Sequence, residues 1–446
     1  MLITPALLLA HARLLRSSPS ALARLATPPS ELRLWFSERP ELRFSFLSLV
    51  DSAGTTIPLG AVVTGDSMSL VAPIEKALSA GRYSVAWRTA AADGHSTSGR
   101  FLFTVAIASE PALPVPGAVA IHRDTIISKT VSPEWLASAG DDVLARVFRW
   151  VELSAAMLII GAIVFRLFVL PGVQWPAGDL ALAHDRARLT AIVAIVLFIA
   201  ADIGRLFLMS SLLASIVPPP ATAFALRGMA MLSVISDTRW GHGWLFAALG
   251  AVVALIALFL ARAGARPWIV AGLGAVAIAV GEAMTGHSGA MGARAPLGVA
   301  IDVAHILGAA GWLGGLACVV LCGLPVLRRI DEQRRALAGS QLVRSYHRAA
   351  IECVVLTIGT ALVAAWLRLP HLESLWTTPY GLALLRKIVV VVFVLFIGLF
   401  HWRTAVLKDW ISSTAKQFRL SASLELALGL VVIGLTVVLI STELPS

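Results

Sequence analysis

Eight stretches of this chain, near 147–170, 189–213, 242–263, 267–286, 297–325, 345–367, 384–404 and 421–441, are each long and apolar enough to cross a bilayer, which takes a helix of about 20 residues. Hydrocarbon satisfies no backbone hydrogen bonds, so segments of this kind can only be helices packed together. A ninth apolar region, "PPPATAFALRGMAMLSVI", lies between the second and third stretches. It is too short and too broken to span, and reads as a surface or re-entrant segment. With 58% hydrophobic and 14% charged residues in 446, the chain is too apolar for a soluble protein. Residues 146–446 are therefore expected to form an all-α polytopic membrane domain of about eight transmembrane helices.

The front of the chain follows a different rule. Leu32, Leu34 and Phe36 alternate with polar neighbours, as do Tyr83, Val85 and Trp87, and then Phe101, Phe103 and Val105. A period of two with aromatic and β-branched residues, broken by Gly, Pro and Ser, predicts strands. Residues 11–107 are the right length for one all-β sandwich, Ig-like or cupredoxin-like. A Pro-containing linker follows over 108–145. The three cysteines, Cys318, Cys322 and Cys353, all sit in apolar stretches, so no disulfide framework supports the sandwich. Residues 1–10 end an apolar run at Ala10 but carry no Lys or Arg. Two readings stay open: a weak signal peptide cut between Ala10 and His11, or a true start upstream of Met1.

The net charge of +10 does not indicate nucleic acid. The basic residues fall in alternate connections: Arg186 and Arg188; Arg262 and Arg266; Arg328, Arg329, Arg334 and Arg335; Arg403, Lys408, Lys416 and Arg419. Under the positive-inside rule those connections face the cytoplasm, which leaves the β domain outside.

"AADGHSTSGRFLFTV" places Asp93 and His95 two residues apart, just before a strand. Alternate residues of an extended segment share a face. If the mature chain begins at His11, its α-amine and imidazole can chelate one metal together, a donor set that suits Cu(II). Asp93 and His95 would complete it, and Glu38 is a further oxygen donor. The plainer alternative is that Asp93 and His95 only cap a turn. Here a resemblance enters. "HARLLRSSPSALARLATPPSELRLWFSE" and "AGRYSVAWRTAAADGHSTSGRFLFTV" resemble the periplasmic copper-binding CopC family. "HILGAAGWLGGLACVVL" and "LWTTPYGLALLRK" resemble its membrane partner family, CopD. The chain thus looks like a CopC–CopD fusion. The resemblance implies a Cu(II) site on His11, Asp93 and His95, with Glu38 as a fourth side chain. It also implies copper resistance or uptake at the bacterial inner membrane, with the N-terminal domain on the periplasmic face and periplasmic or cytosolic copper carriers as partners.

Ionisable residues within the membrane domain include Glu152, Asp202, Arg205, Glu282, Asp302, His305 and Glu352. Such groups are expensive in lipid and face a bundle interior or a cavity. Arg205 is expected to pair with Asp202, three residues away. Asp302 and His305 share a face of the fifth stretch, and His287, Met284 and Met291 lie toward the same outer side. Cys318, Cys322 and Cys353 lie toward the inner side. Thioether, imidazole and thiol together offer a route for Cu(I), although Met and Cys are also ordinary core residues. His347 and His401 are expected at the cytoplasmic interface. The leading function is extracytoplasmic copper capture and transfer or import across the membrane, without catalysis. The alternatives are a membrane haem oxidoreductase that reduces Cu(II) and a copper sensor without transport.

Overall fold

The structure is a computed structural model that describes residues 14–37, 39–66, 68–90, 96–106, 141–214, 223–260, 264–286, 288, 294–369, 371–407 and 412–442. It forms two compact units, a β domain and a helical domain.

The β domain contains β1 (Leu14–Ser18), β2 (Arg24–Leu25), β3 (Glu31–Phe36), β4 (Phe46–Asp51), β5 (Thr56–Ile57), β6 (Val63–Thr64), β7 (Ser69–Pro73), β8 (Gly81–Ala90) and β9 (Ser96–Val105). They form a four-stranded sheet, β1-β3-β7-β6, and a five-stranded sheet, β2-β9-β8-β4-β5. The expected sandwich is what forms. Its core consists of the residues the alternation selects: Leu32, Leu34 and Phe36 from one sheet pack with Tyr83, Val85, Trp87, Phe101 and Phe103 from the other. Phe36 meets Trp87 edge-on across the core, with ring centroids 5.3 Å apart, the arrangement that aromatic quadrupoles favour. Gly99 lies opposite Trp87 in the β8–β9 ladder. A Cβ there would come within 2.7 Å of the indole, so only glycine leaves the ring its place.

Among the described residues, the helical domain has eight helices long and apolar enough to cross a membrane: spans one (Val143–Gly172), two (Gly178–Ser211), three (Arg239–Leu260), four (Arg266–Met284), five (Ala295–Leu327), six (Glu332–Arg368), seven (Pro379–Phe400) and eight (Ala415–Ile440). The ninth apolar region contains a helix of 15 residues, Ala223–Asp237, too short to cross. Span six begins well before the apolar stretch at 345–367, because its first turns carry Arg334, Arg335 and Arg344 and are invisible to hydropathy. His347, near the start of the apolar part of that helix, is buried against the bundle.

Spans one and five each change pitch before a proline. A π-helical turn, Phe165–Val169, precedes Pro171, and another, Val319–Gly323, precedes Pro325. Proline has no N–H and its ring clashes with the carbonyl four residues earlier, so local widening is the expected response. The exposed carbonyls find donors on neighbouring helices. Arg186 of span two donates to the Leu321 carbonyl at 3.2 Å. The Ser345 hydroxyl of span six donates to the Val169 carbonyl at 2.9 Å. A third π turn, Ala310–Gly314, is served by the Tyr346 hydroxyl, which donates to the Trp312 carbonyl at 3.2 Å.

Small residues let the helices approach. Spans one and five touch backbone to backbone at Gly161 and Gly314, where a Cβ on Gly161 would fall on the Gly314 main chain. Gly161→Ala is expected to lower stability by about 3 kcal/mol through overpacking. Gly359→Ala, with open space around it, should instead gain up to about 1 kcal/mol from helix propensity. Thermal unfolding of the two purified variants in detergent checks the pair; equal shifts would mean that spans one and five do not touch there.

Candidate functional site

Two places gather residues with metal-binding or charge-handling chemistry, one in each unit. In the β domain, β1 pairs antiparallel with β3 so that Leu14 lies opposite Phe36. The start of β1 and the end of β3 therefore share one end of the sandwich. Phe36 packs on Trp87, and β8 and β9 close their ladder at Ala90 and Ser96, so the β8–β9 connection leaves from that end as well. His11 precedes β1, Glu38 follows β3, and Asp93 and His95 lie in the 91–95 connection; all four are outside the described residues.

Near the opening of span five the helical domain holds a polar cluster. Asp302 accepts from the Arg368 guanidinium of span six at 2.6 Å on both oxygens and from the Ser288 hydroxyl at 2.7 Å. Arg368 also donates to Ser288 at 2.8 Å and hydrogen-bonds Tyr380 at the head of span seven. One turn along span five, His305 Nδ1 lies 3.2 Å from the Thr357 carbonyl and 3.2 Å from the Thr360 hydroxyl. A carbonyl can only accept, so Nδ1 carries the proton and Nε2 keeps its lone pair. An imidazole that ligates a metal through Nε2 has this tautomer, with its orientation held by a backbone acceptor. Lys387 of span seven lies within electrostatic reach of His305. The sequence placed Asp302 and His305 on one face but not their partner Arg368, which ends a span and looks like an ordinary interfacial cation.

The remaining residues of the sequence reading spread out. Cys318 and Cys322 are buried, hydrogen-bonded to each other, and Cys322 Sγ is 3.4 Å from the Thr190 hydroxyl of span two. Cys353 faces Gly311 instead, where a Cβ would come within 2.6 Å of its Sγ. Met284 ends span four, and His287 and Met291 lie outside the described residues. Among the described residues, no three His, Cys, Asp or Glu side chains come together as a metal cage. Two features went unread in the sequence. One is a cavity of about 330 Å³ lined by Trp312, Tyr346, His347, Gly398 and Glu425, where the Trp312 indole N–H donates to Glu425 at 3.1 Å. The other is an ion network: Arg205 pairs with Glu152 of span one in place of the expected Asp202, and Arg149 joins it. Only the interhelical packing could reveal either.

Comparisons with known proteins bear on both units. Residues 14–106 match the CopC domain family. Residues 140–296 match the copper resistance protein D-like N-terminal domain, and residues 340–439 match copper resistance protein D. Copper transport protein CutJ of Bacillus subtilis (strain 168) is 24% identical over 405 residues, covering 88% of this chain and 68% of CutJ. Protein YobA of Escherichia coli (strain K12) is 32% identical over 106 residues, covering 23% of this chain and 85% of YobA. The crystal structure of CopC from Methylosinus trichosporium OB3b is 31% identical, with a TM-score of 0.21, over 23% of this chain and 100% of that one.

The Asp302–Arg368 pair has its own test. Removing one partner of this partly buried, hydrogen-bonded pair strands the other, so Asp302→Asn is expected to cost about 1–2 kcal/mol. Adding Arg368→Met removes the stranded charge and should recover most of that loss. Thermal melts of the single and double variants read both effects, and additive losses would mean the pair is not coupled.

Proposed function

Because the chain belongs to the CopC and CopD families of copper-resistance proteins, joined in one polypeptide, we propose that it captures Cu(II) outside the membrane and carries copper inward across the inner membrane. The observation that supports the capture step is that the start of β1, the end of β3 and the Ala90–Ser96 end of the β8–β9 ladder share one end of the sandwich, that of Phe36 and Trp87. His11, Asp93, His95 and Glu38 are the ligands of this reading. An α-amine, two imidazoles and carboxylate oxygen form a tetragonal N/O set, which Cu(II) prefers. Copper is the cargo here, not a resident catalytic group, and the protein acts as a carrier and not as an enzyme.

Support for the membrane step comes from eight spans and from a relative named as a copper transport protein. His305, with Nε2 as its acceptor nitrogen, is the first membrane ligand of the route. Asp302, His287, Met284 and Met291 accompany it on the outer side, and Cys318, Cys322 and Cys353 offer thiols to Cu(I) further in. The basic residues at the opposite helix ends, Arg328, Arg329, Arg334 and Arg335 among them, support an outside β domain. Periplasmic and cytosolic copper carriers are the partners such a route would serve.

The test concerns the first residue. Cu(II) binding to the full-length protein beginning at His11 is compared by electron paramagnetic resonance with a form that keeps one extra residue ahead of His11. Loss of the terminal amine as a ligand should weaken binding by at least about 10–100-fold and change the nitrogen coupling. Asp93→Asn should weaken it without changing that coupling. If the extended form binds Cu(II) as the native form does, His11 is not a ligand and the capture site is wrong.

A further inference from the structure

Spans one, two and four enclose a second set of charges that copper capture does not use. Arg149 and Glu152 come from span one, Asp202 and Arg205 from span two, and Glu282 from span four. All three carboxylates are buried, Glu152 completely. Arg149 is in ion-pair contact with Glu282 and lies 3.5 Å from Glu152, while Arg205 pairs with the same Glu152 oxygen, Oε2. Arg149 also donates to the Glu282 carbonyl at 3.2 Å and to the Thr285 hydroxyl at 3.3 Å. Span three contributes no charge to the set: Trp240 stacks beneath Arg205, 5.3 Å from ring centroid to guanidinium carbon, and the Trp244 indole donates to the Asp202 carbonyl at 2.9 Å. Among the described residues, these five are the charged groups that face one another here.

The count does not balance. Three carboxylates face two guanidiniums, so full ionisation leaves one uncompensated negative charge in a region walled from water, which is costly. A second observation points the same way. Glu152 Oε1 is buried and meets no donor, although the Asp202 carboxyl is within hydrogen-bonding reach of the Glu152 carboxyl. Both groups are acceptors when ionised. Two carboxylates hold together only around a shared proton. The cluster lies where span one begins, span two ends and span four ends, at one end of the bundle.

We propose that Glu152, Asp202 and Glu282 form a proton-binding site that carries one exchangeable proton against Arg149 and Arg205. A buried group that gains and loses a single proton near one membrane face is the element a proton-coupled carrier requires. That coupling rests on the transport reading above; the proton site itself does not.

Infrared difference spectroscopy of the purified full-length protein during a pH titration tests the site. The native protein should show the C=O stretch of one buried protonated carboxyl, which disappears as pH rises. Glu152→Gln, Asp202→Asn and Glu282→Gln should each abolish it, because removing any one carboxylate balances the count. The same three variants should melt no lower than the native protein, while Arg149→Gln and Arg205→Gln, which deepen the imbalance, should melt lower. Native protein without that band, or Glu152→Gln destabilised as much as Arg149→Gln, overturns the site; Asp202→Asn repeats the count should Glu152→Gln not fold. A second measurement follows radioactive copper entering vesicles under an imposed pH gradient. Native uptake that responds to the gradient, with Glu152→Gln uptake that does not, supports coupling. Uptake indifferent to the gradient overturns coupling, and absence of uptake overturns the transport reading while the infrared band still judges the site.

Discussion

A carbonyl oxygen released from its own helix in hydrocarbon must find a donor elsewhere in the protein, and much of the helical domain is organised around that demand. Pro171 and Pro325 interrupt spans one and five, and π turns open just before them. Arg186 and Ser345 supply donors beside them, and Tyr346 serves a third π turn at Trp312. Because they come from spans two and six, each satisfied carbonyl also ties one helix to another. Span five is held this way on two sides. Its face toward span one is kept thin by Gly314, so the two interrupted helices can touch without a side chain between them.

The polar residues inside the bundle answer to the same constraint. Asp302 has Arg368, Ser288 and, through Arg368, Tyr380. Glu425 has the Trp312 indole. The set of Glu152, Asp202 and Glu282 differs in carrying one more acceptor than its donors can answer. That difference separates a structural pair from a group with something left to bind. In the β domain the organising principle is alternation, which buries Phe36 and Trp87 against each other at one end of the sandwich. The two units thus follow different rules: alternation along strands in one, and polar pairs between apolar helix faces in the other.

How much of this was legible in the sequence depended on whether a property is local. The eight spans were readable because each is a continuous apolar run, and the strands because their period is two. Leu32, Leu34, Phe36, Tyr83, Val85, Trp87, Phe101 and Phe103 were identifiable as core on that basis and are buried. The start of span six was not readable, since its arginine-rich turns are stabilised by packing and not by hydropathy. Arg205 was matched to Asp202 because sequence spacing is the only geometry a single helix offers; span one, packed alongside, supplies Glu152 instead.

By itself the sequence determined the division into a sandwich and a bundle, the number of crossings, and which residue types are candidates for copper. Those follow from periodicity and composition, which act along the chain. Tertiary structure alone decided which charges meet, which free carbonyls Arg186 and Ser345 serve, and why His305 is held with Nε2 as its acceptor. The physical reason is that an ion pair or a hydrogen bond between helices depends on distances of a few ångströms across the bundle, and residues 133 apart, such as Arg149 and Glu282, carry no mark of their meeting until the helices are packed.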